Sequence, residues 1–190
     1  MQTSMPVFQR FRREGETIGR LVTGYGELEL DLLNCIAKGI GDFNKAIKAM
    51  FKPRSETKRI AVADKLGREP YTMLGPRDEF DQVIATMGRC AEIRNQYAHR
   101  NFYDDDTERL ALVNLEELAK KDELIENLSS LTTVHVTAEL VEEQERYFLY
   151  VRAAIGYLTD EARFRSNTLR CNPFGPEPPL AKPRLAIEIA

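Results

Sequence analysis

The residues best suited to chemistry stand together near the middle of the chain. His99 is one of two histidines among 190 residues. An imidazole with an unperturbed pKa of about 6.5 gives or takes a proton near neutrality. Arg94 precedes it in the run Arg94-Asn95-Gln96-Tyr97-Ala98-His99-Arg100. Its planar guanidinium fork matches the oxygens of a phosphate. Asn95 lies one helical turn from His99, so their side chains are neighbours if the segment is helical. Tyr97 and Arg100 add a hydroxyl and a second guanidinium.

A helix must position these groups. Phe80, Ile84, Met87, Ala91, Arg94 and Ala98 follow steps of four and three, the period of an amphipathic helix. Pro76 opens it, with Asp78 and Glu79 in a first turn that favours acids. Arg94 then falls in an apolar stripe, where an arginine needs a partner. Glu29 interrupts the apolar face of an earlier helix between Val22 and Leu33. It is the expected partner, either fixing helix packing or orienting Arg94 beside a cleft. The spacing from Arg94 to His99 is about 140° around an ideal helix, so the two do not share a face. They converge if Arg94 reaches around, if the helix end unwinds near Asn101, or if a second subunit supplies one of them.

Arg94-Asn95-x-x-x-His99 at the end of such a helix resembles the Arg-x4-6-His motif of the HEPN superfamily, whose pattern includes a polar residue directly after the arginine. The resemblance runs from about Thr17 to Tyr103, with the long helix near the C-terminus added. It implies an all-α, HEPN-like helical bundle acting as a homodimer, with RNA cut without metal in a cleft between two protomers. The implied setting is stress or phage defence. Attack by the ribose 2′-hydroxyl, the group that distinguishes RNA from DNA, would leave a 2′,3′-cyclic phosphate. By this resemblance His99 is the acid or base and Arg94 stabilises charge on the pentavalent phosphate. Asn95 orients the imidazole or contacts phosphate, while Glu29, Tyr97 and Arg100 support the site or bind substrate. No cofactor is implied. Many superfamily members keep the fold and are not shown to cut anything, so the alternative is a non-catalytic interaction or RNA-binding module with a protein partner such as an antitoxin.

Composition limits the remaining choices. Hydrophobic content of 43% and charged content of 30% describe one globular domain. No apolar run approaches the ~20 residues that span a bilayer, and Met1 to Arg13 lacks a signal-peptide core, so a cytoplasmic protein is expected. Cys35, Cys90 and Cys171 are far apart and read as free thiols, with no zinc spacing among cysteines and histidines. The net charge of −3 is unevenly spread: residues 1–103 carry 17 basic and 13 acidic side chains, and residues 104–146 carry 4 and 13. The run Asp104-Asp105-Asp106 reads as a solvated loop that discourages promiscuous nucleic-acid binding beside His99.

In order, the chain reads as an arm over residues 1–13 that frays by default, with Arg10, Arg12 and Arg13. The helical domain follows over residues 14–169. Its helices are expected from about Glu14 to Lys38, Asp42 to Phe51, Ser55 to Leu66, Pro76 to Ala98 and Ala138 to Arg165. Gly24 and Gly26 suggest close approach of another backbone, and Gly67 to Gly75 reads as a loop. Within an acidic insertion over about 104–136, Arg109–Val113 and Thr132–Val136 predict a small two-stranded β-ribbon, with helical turns from Leu115 to Lys121 between them. His135 reads as half-exposed. Residues 170–190 hold five of nine prolines and predict an extended tail, loose or packed on a partner subunit.

Overall fold

The computed structural model describes residues 6–120 and 133–187. The protein is mostly helical with one small antiparallel sheet. The elements are α1 (Val7–Arg10), α2 (Arg12–Ile40), α3 (Phe43–Met50), α4 (Glu56–Leu74), α5 (Arg77–Ala98), β1 (Asn101–Tyr103), β2 (Leu110–Val113), α6 (Leu115–Leu118), β3 (Val134–Val136) and α7 (Ala138–Arg165). They form two compact units. One comprises residues 1–22, 93–145 and 183–190, and the other residues 23–92 and 146–182. The division falls within α2, α5 and α7.

The larger unit is helical, and its elements follow from apolar spacing and helix-end chemistry. Leu28, Leu32 and Ile36 of α2 and Ile155, Leu158 and Ala162 of α7 repeat at helical intervals and are buried. Asp42 starts α3 by accepting the Lys45 N–H at 2.9 Å. The helix expected to end at Leu66 instead continues through Gly67 and Pro70 to Leu74, where Gly75 turns left-handed at φ 105°. Tertiary contact explains the extension. Tyr71 stacks on Phe80 at 4.9 Å between ring centroids, and its hydroxyl donates to the Cys35 carbonyl at 2.9 Å. Gly67 is required there because a Cβ would stand 2.5 Å from the Phe80 ring.

Gly24 and Gly26 do not mark close packing, since a Cβ at either meets nothing within 4 Å. The buried row of α5 also differs from the expected stripe. Phe80, Val83, Met87, Cys90, Ile93 and Tyr97 are buried, whereas Ala98 is exposed. The core therefore lies on the face next to the one that Ile84, Arg94 and Ala98 define.

In the smaller unit the ribbon is a three-stranded antiparallel sheet in the order β1-β2-β3. The added strand, β1, pairs Asn101 with Val113 and Tyr103 with Ala111, and β2 pairs Ala111 with His135. Beyond β3 the tail returns to this same chain. Ile187 bridges His135, with N–H to carbonyl bonds of 3.0 and 2.8 Å. Leu110, Leu112 and Val136 carry the sheet's core contribution. Asn114 caps α6 through its side-chain oxygen. The part of the expected helical turn and strand that falls within residues 121–132 lies outside the described residues. Among those described, no helix is long and apolar enough to cross a membrane.

Candidate functional site

The last turn of α5 and the start of β1 present the Arg94–His99 motif, all of it within the smaller unit. The helix closes at Ala98. The His99 N–H still reaches the Asn95 carbonyl at 3.1 Å, but the residue itself lies beyond the helix and is exposed. The helix thus ends at Ala98, slightly earlier than the unwinding near Asn101 that was one of three ways for Arg94 and His99 to converge. Arg94 and Asn95 are half-buried, and Arg94 Nη1 donates to Asn95 Oδ1 at 2.9 Å. Asn95 thus fixes the guanidinium through its side chain and the histidine backbone through its carbonyl.

The neighbours on the inward face hold this corner in place. Tyr97 is buried, and its hydroxyl donates to Gln144 Oε1 of α7 at 2.5 Å. Burial pushes the Tyr97 hydroxyl far above its usual range, against side-chain hydrogen bonding with Gln96 and Gln144 that lowers it. Gln144 Nε2 in turn donates to the Arg184 and Leu185 carbonyls at 2.7 and 3.0 Å, and Gln96 Nε2 to the Leu185 carbonyl at 2.7 Å. The group expected to bind substrate, Tyr97, is therefore built into the wall behind the motif. Arg100 is half-buried beside it.

Glu29 finds another partner. Both its oxygens accept from Arg59 Nη1, at 3.0 and 3.1 Å, within the larger unit. The carboxylate set against Arg94 by its place in α2 is thus held by an α4 side chain.

The acidic loop that follows β1 is knit into the smaller unit. His135 is buried, and its Nε2 lies 2.7 Å from Asp105 Oδ2. Asp105 Oδ1 accepts from the Thr107 hydroxyl at 2.6 Å and from its N–H at 3.2 Å. Burial alone would raise the Asp105 carboxyl, but the bonds from Thr107 and His135 outweigh it and hold the group below its ordinary value. Arg10, expected in a frayed arm, closes α1 and donates to both oxygens of Asp104 at 2.7 Å and to Glu108 at 2.9 Å. Phe8 packs on Phe102 with ring centroids 5.3 Å apart.

Sequence reasoning did not single out Gln96, Gln144 or the carbonyls of Arg184 and Leu185. A polar residue inside the apolar row of α7, Gln144 between Leu140 and Tyr147, was the available signal. Compared with known proteins, the chain matches no family model, no curated protein and no solved structure.

Proposed function

We propose that the protein is a HEPN-like, metal-independent endoribonuclease with Arg94, Asn95 and His99 as its active residues. One observation carries the reading. His99 stands exposed just past the end of α5, while Arg94 and Asn95, joined by a 2.9 Å bond one turn earlier, remain half-buried. A solvent-exposed proton-transfer group and a guanidinium held by Asn95 are the two parts that attack on a phosphodiester needs. In this reading His99 takes the proton of the ribose 2′-hydroxyl or gives one to the departing 5′-oxygen. Arg94 stabilises the charge that grows on the phosphate oxygens. The P–O bond to the 5′-oxygen breaks as the bond to the 2′-oxygen forms, leaving a cyclic phosphate. The other half of the cleft comes from a second copy of the chain, and the protein acts in the cytoplasm in stress or phage defence.

The test is cleavage of a mixed single-stranded and structured RNA pool in EDTA. Wild type should cut and leave cyclic-phosphate ends, and His99→Ala should lose about 10²–10⁴-fold in rate. Arg94→Ala should lose a comparable factor, with folding and dimerisation of both variants checked by circular dichroism and sedimentation. Equal background from all three proteins would overturn the reading. The second reading, a non-catalytic interaction module, draws on the net charge of residues 104–146, 4 basic against 13 acidic side chains.

A further inference from the structure

α3 buries one side and presents another apolar side to solvent. Ala46 and Met50 face the core, whereas Phe43, Ile47 and Phe51, spaced by four, are 53%, 38% and 37% exposed. Large apolar side chains in one outward row mark a surface that meets something. The charges in the stretch around this row are mainly basic. Lys38, Lys45, Lys48, Lys52 and Arg54 are all exposed, and among the described residues none enters a salt bridge. The one acid in residues 38–54 is Asp42, whose carboxylate caps α3. Five cations against one acid leave a local +4 on a chain whose total is −3.

Phe43 also walls a cavity of about 580 Å³ with Asn34, Lys38, Arg163, Ser166 and Thr168, all in the larger unit. That volume lies within the range of small-ligand sites, about 300–1,000 Å³. Arg163 is fixed by Asp160 at 3.0 Å. An aromatic face, two cations and three polar side chains around one hollow match the needs of a base with its phosphate. An anionic lipid surface would use the apolar row and the lysines, but the amide and hydroxyls of the hollow offer nothing to an acyl chain. An acidic peptide would use the charge and leave the ring-walled cavity unfilled.

We propose that α3 and this cavity bind single-stranded RNA, with one base stacked on Phe43 and its phosphate held by Lys38 and Arg163. The remaining α3 lysines follow the backbone. Phe51, just past the end of α3, is already faced by the Arg59 guanidinium 5.2 Å from its ring centroid, so Phe43 is the stacking ring. The inference rests on the ribonuclease reading only for the choice of RNA over DNA.

The test uses the full chain carrying His99→Ala, which keeps the probe intact, and a labelled twelve-nucleotide oligouridine followed by fluorescence anisotropy. Adding Phe43→Ala should weaken binding about 5- to 150-fold, the range for loss of one stacked base, and Phe43→Trp should restore it. Lys48→Gln should lower the slope of log affinity against log salt by about 0.7. Displacement of the probe by uridine monophosphate would assign the hollow to a free nucleotide as well as to a strand. Its absence would restrict the site to the strand, and the stacking proposal holds in both cases. No binding, or binding unchanged in Phe43→Ala and Lys48→Gln, would overturn it. So would Phe43-dependent binding to phosphatidylserine vesicles with none to oligouridine. Binding through Phe43, with no cleavage of the mixed RNA pool by wild type, would end the nuclease reading and leave this site standing.

Discussion

His135 shows how a single ring changes the meaning of its surroundings. Alternation along β3 sends it to the face opposite Val134 and Val136, and a polar ring on that face suggested partial exposure. The structure buries it, with a side chain 4% exposed and Asp105 at 2.7 Å. A carboxylate thirty residues before the ring it meets leaves no local pattern to read. That Arg94 and Asn95 lie in the last turn of a helix was legible because helix period is local. The partner of Glu29 was not, since two helices offered it an arginine and only packing selects Arg59. Asp105→Asn should destabilise the protein by about 1–3 kcal/mol at pH 7, as a charge-assisted bond to a buried ring is lost. The folded carboxyl is held below its ordinary value of about 3.9. Its contribution is therefore complete above pH 4 and is lost as pH falls through the folded pKa. Urea unfolding at pH 7, 4 and 3 should show the gap between wild type and variant narrowing; a gap that widens on acidification would refute this account.

At the scale of elements, the long helices α2, α5 and α7 were readable because their apolar residues recur over many turns. α4 was readable only as far as Leu66, because Gly67 and Pro70 are strong local breakers that stacking of Tyr71 on Phe80 overrides. β1 escaped notice for a different reason: three residues carry too little pattern, and their pairing with β2 defines them. Gly67 and Gly24 make a matched pair of probes. Gly67→Ala should cost about 1–3 kcal/mol despite better helix propensity, since its Cβ would meet the Phe80 ring at 2.5 Å and Ile36 at 2.8 Å. Gly24→Ala meets nothing within 4 Å and should stabilise by about 0.5–1 kcal/mol. Thermal melting of both variants decides the matter, and a stabilised Gly67→Ala would show that the ring yields.

For the whole molecule, proline content predicted an extended tail without saying where it goes. Residues 183–187 rejoin the smaller unit, where Ile187 pairs with His135 and the Arg184 and Leu185 carbonyls accept from Gln144 and Gln96. Stopping the chain after Lys182 would strip these partners from two buried glutamines and expose an edge of β3. The truncated protein should lose about 2–6 kcal/mol, at 1–3 kcal/mol for each buried group left unpaired. Native-state hydrogen exchange should report the loss at His135 and in the last turn of α5, with residues 23–92 less affected.

The return of Ile187 to His135 also imposes an order on events at the ribosome. Residues 23–92 and 146–182 of the helical unit have all emerged before Ile187 does. The unit that carries His99 is drawn from both extremes of the described chain, and such non-local pairing is slow to form. Its last backbone bridge can close only when translation has passed residue 187. The corner presenting Arg94 and His99 is thus among the final parts of the molecule to be braced, so a nascent chain carries the motif well before it carries the finished site.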